Sequence, residues 1–409
     1  MELEVGAVAH GGHCVARHEG RVVFVRHTLP GERIVARQTG TGGGGRFWRA
    51  DAVRVLEPSP DRVPSVWPEA GPGGVGGGEL AHVDLPAQRR WKATVLAEQL
   101  RRLAGLDRPV RVEPAPGDDE RGGLRWRTRI DLVADEAGRA GMFRHRSHEV
   151  VALEAMPLAS EEIEGLRLFE RRWPPGARIE AVAPASGDRP VVLVDGAPWW
   201  RDRPDARPNA RTSVRERVRV GDREWTYRVA ANGFWQVHRE APSVLVEAVL
   251  DMLDPGGPGE AWQGARVLDL YAGAGLFAQP LAELVGKRGE VVAVEGDARA
   301  VRDARRNLHA LPQVTLAPGE VTRVLAGSPS SGVDAVVLDP PRAGAGRRVV
   351  EQVGALTPRA VVYVACDPAA LARDVRYFAE RGYDLARLRA FDLFPHTHHV
   401  ESVALFARS

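Results

Sequence analysis

The chain has 409 residues, enough for about two or three domains, and sets 56 Lys+Arg against 54 Asp+Glu for a net charge of +2. That balance neither demands nor excludes a polyanionic partner, while two cysteines, Cys14 and Cys366, rule out a disulfide framework. No window approaches the roughly 18 apolar residues of a membrane span, and the first residues lack a charged segment followed by an apolar one, so a soluble protein of a reducing, cytoplasmic compartment is expected. Only Lys92 and Lys287 are lysines, so 54 of the basic residues are arginine. Its planar fork suits bidentate phosphate and base contacts, although a general bias toward Arg, Ala, Gly and Pro would give the same count.

In chain order, residues 1–57 alternate valine-rich runs with glycine turns, as in Gly20-Arg-Val-Val-Phe-Val-Arg-His27, which predicts a small OB-like β-barrel. Arg46-Phe47-Trp48-Arg49 interleaves aromatics with cations, a composition suited to single-stranded nucleic acid. Residues 58–79, rich in proline and glycine, read as a linker with little to bury. Residues 80–235 read as a mixed α+β unit that opens on a helix over 85–104. Within it, 121–148 holds seven Arg and three acids, and 199–229 nine Arg and five acids. Such clusters fit either a phosphate-contacting surface or a solvated strand face. From 236 to 409 strands and helices alternate: strands at 266–271, 290–295, 333–338, 361–365 and 402–407, with helices between them. This order predicts a doubly wound α/β sheet of Rossmann type.

Cys366 is the candidate nucleophile. The run Val361–Ala365 reads as a buried strand that delivers it into a turn, and Asp367-Pro368 opens the next helix. A helix amino terminus at a strand's carboxyl end is expected to lower a thiol's pKa. Gly273-Ala-Gly275 after another strand lacks the third glycine of a dinucleotide fingerprint, and Glu295 follows twenty residues later at the end of the next strand. A glycine turn without a phosphate clamp, plus an acid for ribose hydroxyls, suits S-adenosylmethionine. Asp339-Pro-Pro-Arg342 puts arginine where enzymes that methylate exocyclic amines place an aromatic residue. That favours a carbon nucleophile needing covalent activation, which a cysteine one strand away could provide. His396, His398 and His399 have no second group of Cys or His ligands, so no metal is expected.

Five motifs in order, Phe234-Trp-Gln-Val-His238, Asp269-Leu-Tyr-Ala-Gly-Ala-Gly275, Asp339-Pro-Pro-Arg342, Ala365-Cys-Asp-Pro368 and Phe394-Pro-His-Thr-His-His-Val-Glu401, resemble those of the RNA uracil-5-methyltransferase family across essentially the whole chain. Leu29-Pro-Gly-Glu32 and Ala52-Val-Arg-Val-Leu56 resemble a TRAM domain, an RNA-binding module. The resemblance implies a class I methyltransferase in which Cys366 adds to C6 of uracil and Glu401 removes the C5 proton. It aligns Gln236, Tyr271, Glu295 and Asp339 with cofactor contacts, beside Gly273 and Gly275. Asp339 could instead orient the base or the thiol. The implied substrate is a flipped or looped uridine in structured RNA, ribosomal RNA favoured over transfer RNA, with a monomer as the default state. The four cysteines that hold an iron–sulfur cluster in some relatives are missing, so none is expected. Leu276 replaces a polar cofactor contact of some relatives, and Ala365 and Asp367 replace the common Ser and Asn, Asp367 adding a charge that would raise the thiol pKa. Two other readings are a noncatalytic RNA-binding or assembly protein with the same fold, against which the presence of Cys366, Asp339 and Glu401 argues, and a methyltransferase for another pyrimidine or a small molecule, against which the TRAM-like barrel counts.

Overall fold

In the amino-terminal third, alternating side chains decide the architecture. The computed structural model describes residues 1–257, 259–327 and 332–408. Strands β1 (Glu2–Ala9), β2 (His13–His18), β3 (Arg21–Arg26), β4 (Arg33–Gly42) and β5 (Phe47–Glu57) close into a barrel in the order β1-β2-β3-β5-β4. Leu3, Val5, Cys14, Ala16, Val23, Val25, Ile34 and Ala36 point inward at every second position, and closure removes the exposed strand edges. Helix α1 (Leu85–Gln99) sets Trp91 and Val95 into the same core. It runs on as one wider turn, Leu100–Ala104, and stops at Gly105, whose φ of 71° suits a residue without a Cβ. The stretch 58–79 is more than a spacer. Trp67, Ala70 and Val75 are buried in the core of the unit that follows, so its prolines and glycines shape a packed segment.

After β6 (Val112–Pro114) come β7 (Arg129–Ala134), β8 (Ala140–Phe143), β9 (Val150–Ala152), the short α2 (Glu161–Glu164), β10 (Arg178–Val182), β11 (Val191–Val194), β12 (Ala197–Trp200) and β13 (Arg203–Pro204). They form an antiparallel sheet in the order β13-β12-β11-β10-β7-β8-β9. A hairpin, β14 (Ser213–Val220) and β15 (Arg223–Ala230), buries Val214, Val218, Trp225, Tyr227 and Val229. The arginine clusters of this region are largely paired. Arg125, Arg139, Arg144, Arg207, Arg215 and Arg219 bind Glu161, Asp135, Glu149, Asp205, Asp188 and Glu224, which fits the solvated strand face better than a bare phosphate surface.

The last part carries α3 (Ala241–Leu253), β16 (Arg266–Leu270), α4 (Ala278–Val285), β17 (Glu290–Glu295), α5 (Ala298–Leu308), β18 (Val314–Pro318), α6 (Val321–Ala326), β19 (Ala335–Leu338), α7 (Gly346–Ala355), β20 (Ala360–Ala365), α8 (Pro368–Ala379), β21 (Tyr383–Asp392) and β22 (Glu401–Arg408). The sheet order is β18-β17-β16-β19-β20-β22-β21-β6, with β16 to β20 parallel and β22 antiparallel to both neighbours. This is the doubly wound architecture, its order reversing at β16. β6, from the segment before the central sheet, pairs in parallel with β21 and ends the sheet.

Candidate active site

Strand register assembles the site. Leu270 of β16 lies beside Val294 of β17 and Leu338 of β19, and Ala365 of β20 lies beside Ser402 of β22. One step beyond these pairs stand Tyr271, Glu295, Asp339, Cys366 and Glu401. Five residues from five segments thus emerge along one sheet edge, at the carboxyl ends of the parallel strands, where open α/β sheets place ligands.

All of β20 is buried, and it leads to the half-buried thiol of Cys366. Asp367 caps α8, its Oδ1 accepting from the Ala370 N–H at 2.8 Å, with Pro368 in the first turn. The expected fall in thiol pKa does not occur. Burial, then the charges of Glu401 and Asp339, push Cys366 up to about 12, opposed by Arg342. The physical reason is first that burial disfavours the thiolate, and then that Glu401 and Asp339 add like charge, with a smaller contribution from Asp367, which also occupies a helix N–H. Glu401 is 3% exposed, and burial together with Asp339 pushes it well above the usual carboxylate range. Asp339 keeps some open surface, yet desolvation pushes it up to about 7.

Backbone strain marks the glycine turn. Tyr271 adopts φ 63°, which a non-glycine residue holds only when its surroundings impose it, and Gly273 and Gly275 adopt 57° and 93°. The two glycines serve different ends. A Cβ on Gly273 would meet nothing within 4 Å, leaving space for a ligand, whereas one on Gly275 would lie 3.1 Å from Leu308 of α5. Glu295 accepts from the N–H groups of Gly273 and Asp297, each at 2.7 Å. Each carboxylate oxygen keeps a lone pair for a ribose hydroxyl. Gln236 is the one expected site residue away from the sheet edge. It is half-buried on the loop 231–240, which Arg129 holds through the carbonyls of Ala231 and Gly233 at 3.2 and 3.1 Å. On the same loop Phe234 is 75% exposed.

Asp269, which the sequence offered only as the first residue of a motif and without a role, is fully buried, and neither of its oxygens has a hydrogen-bond partner among the described residues. Burial and the charges of Asp339 and Glu295 push its pKa well up. The available signal was an acid inside the apolar strand Val267-Leu-Asp-Leu270. S-adenosylmethionine fits this arrangement. It brings an ammonium and a sulfonium to a group of uncompensated carboxylates, and the open face of Gly273 gives it room beside Glu295.

The loop before Glu401 is held from outside the sheet. Buried Lys92 of α1 pairs with Asp392 and donates to the Phe394 carbonyl at 3.0 Å. Gln88 Oε1 accepts from the His396 N–H at 2.7 Å. The three histidines take different partners: His396 Nε2 lies 2.9 Å from the Gly122 carbonyl, His398 Nδ1 3.4 Å from Glu79, and His399 Nε2 3.4 Å from Arg342.

Fold and site together define a class I, S-adenosylmethionine-dependent methyltransferase carrying an amino-terminal barrel. Residues 1–37 match the TRAM domain and residues 328–409 the tRNA (uracil-5-)-methyltransferase family. An uncharacterized RNA methyltransferase of Streptomyces coelicolor is 48% identical, over 99% of this chain and 92% of the relative. The 23S rRNA (uracil(1939)-C(5))-methyltransferase of Stenotrophomonas maltophilia is 32% identical, over 100% of this chain and 97% of its own. The solved Pyrococcus abyssi tRNA (uracil-54, C5)-methyltransferase, in complex with S-adenosyl-L-homocysteine, shares the fold with a TM-score of 0.69 at 22% identity, over 99% of each chain. The chain belongs to the RNA uracil-5-methyltransferase family.

Proposed function

We propose that this protein methylates C5 of a specific uridine in structured ribosomal RNA through a covalent bond between Cys366 and C6. The observation that carries the reading is the register of β20 and β22, which sets a half-buried thiol beside a buried carboxyl, with Asp339 on the adjoining strand. Uracil C5 is too weakly nucleophilic to take a methyl group unaided, and a covalent intermediate divides one hard step into easier ones. The Cys366 thiolate adds to C6, and the double-bond electrons pass to C5 and the C4 carbonyl as an enolate. C5 forms its bond to the methyl carbon as the bond from that carbon to the donor sulfur breaks and its electron pair stays on that sulfur. Glu401 as carboxylate then removes the C5 proton, and the C6–Sγ bond breaks as the C5–C6 double bond returns, releasing the Cys366 thiolate. Arg342 favours the anionic forms of both Cys366 and Glu401, so it supports the thiolate at the start and the base at the end. When bound, S-adenosylmethionine supplies an electrophilic methyl group on a positively charged sulfur. Asp269, Glu295 and the backbone at Gly273 would hold it, and Tyr271 and Gln236 are assigned here as further contacts.

RNA binding is assigned to the barrel, where Arg21 lies over Trp48 at 4.6 Å, Arg49 over Phe47 at 5.1 Å, and Phe24 packs edge-on against Phe47. Stacking of bases between such groups contributes about 1–3 kcal/mol each. Ribosomal RNA is favoured because the relative named for it aligns over the whole chain at 32% identity. The test is transfer of labelled methyl groups to ribosomal and transfer RNA from cells lacking this activity, followed by nucleoside analysis. Label in 5-methyluridine of ribosomal RNA, and none with Cys366→Ala, is expected. Label in transfer RNA alone would overturn the substrate, and methylation by Cys366→Ala would overturn the covalent route.

A further inference from the structure

The turn between β1 and β2 reaches from the barrel to both sides of the reactive pair. His10 Nε2 lies 3.1 Å from Asp367 Oδ2, while the other oxygen of Asp367 caps α8 directly after Cys366. Two residues on, a Cβ at Gly12 would come within 3.2 Å of the Cβ atoms of Glu79 and His398, so the turn is pressed against the loop that leads to Glu401. Gly11 and Gly12 adopt φ of 90° and 75°, which lets the backbone fit this close approach. The contact is therefore made at the two segments that present nucleophile and base.

We infer that His10 is a positioning residue for Cys366: as an imidazolium it supplies the counter-charge for Asp367, fixes the cap of α8, and keeps the added carboxylate from opposing the thiolate. This rests on Cys366 as the nucleophile. The groups acting on the thiol are Glu401, Asp339 and Asp367, which disfavour its anion, and Arg342, which favours it. Of these three carboxylates, Asp367 is the one that pairs with a basic side chain of the barrel among the described residues. The hydrogen bond to Asp367 raises the pKa of His10 from 6.5. Burial works against ionised Asp367, but His10 and the cap N–H groups hold it below the ordinary range. A raised histidine contributes in full below its ordinary pKa and loses that contribution as pH rises through the higher value. The coupling is therefore strongest in mildly acidic solution and fades in alkaline solution.

The experiment is the pH dependence of iodoacetamide alkylation at the Cys366 peptide, read by mass spectrometry, in the full chain and in His10→Ala, His10→Gln, Asp367→Asn and the double variant His10→Ala/Asp367→Asn. The peptide readout separates Cys366 from buried Cys14. Near neutral pH, His10→Ala is expected to alkylate about threefold more slowly, the difference closing as pH rises and His10 of the full chain loses its charge, and Asp367→Asn in that background to restore the rate. His10→Gln, which keeps a hydrogen-bond donor without the charge, should retain the cap but show the same slower rate near neutral pH, closing at alkaline pH. An unchanged profile in His10→Ala and His10→Gln, or no rescue by Asp367→Asn, would overturn the inference. Should His10→Ala fail to fold, His10→Gln alone against wild type decides it. Alkylation needs no RNA, so its outcome is independent of whether uridine is the substrate.

Discussion

Cys366 and Glu401 lie one step beyond the last β20–β22 pair, Ala365 with Ser402, and removing each should stop the reaction at a different point. With Glu401→Gln the C5 proton stays, so a covalent complex with ordinary RNA is expected to accumulate on a denaturing gel while turnover falls about 10²–10⁴-fold. With Cys366→Ala no complex should form. Asp269 has no partner on either oxygen, so Asp269→Asn should weaken S-adenosylmethionine by about 1.5–3 kcal/mol, roughly ten- to a hundredfold in Kd by calorimetry. Asp339 also sets a pH dependence. Its folded pKa of about 7 exceeds the ordinary 3.8, so the folded state holds its proton more tightly. Its contribution to the stability of the cofactor-free protein therefore falls as pH rises from about 4 to 7. The thermal shift on adding S-adenosylmethionine, whose positive charges offset these carboxylates, is expected to be larger above about pH 7 than below about pH 4. An equal shift at both would contradict this account.

At the scale of elements, what the sequence showed and what it hid divide along one line. Strands buried on both faces were legible as apolar runs, and the motif residues at their ends converge because parallel strands in register bring their carboxyl ends together. β18, half-exposed at the sheet edge, and β21, with arginines at Arg387 and Arg389, carry no such run and escaped notice. β6 is three residues long, too short for any periodicity. The tether on the Glu401 loop was equally hidden, because Lys92 and Gln88 meet partners about 300 residues away in sequence. That tether is testable. Lys92→Met leaves Asp392 buried without a counter-charge and should cost about 3–5 kcal/mol in urea denaturation, and Lys92→Met/Asp392→Leu should recover most of it.

On the scale of the whole molecule, three units share one catalytic edge. The barrel contributes His10 and Gly12, α1 contributes Lys92 and Gln88, and the doubly wound sheet contributes the thiol and the carboxylates. Order and class of these units could be read from composition and alternation; their mutual contacts could not, because they depend on single polar pairs between distant segments. Covalent capture of uridine by Cys366 is the central claim, and its direct measurement is the reaction of pure protein with S-adenosylmethionine and ribosomal RNA containing 5-fluorouridine. Fluorine cannot leave C5 as a proton would, so a denaturant-stable adduct carrying one methyl group and mapping to Cys366 is expected. Methyl transfer to unmodified RNA without any such adduct from the fluorinated RNA would contradict the account.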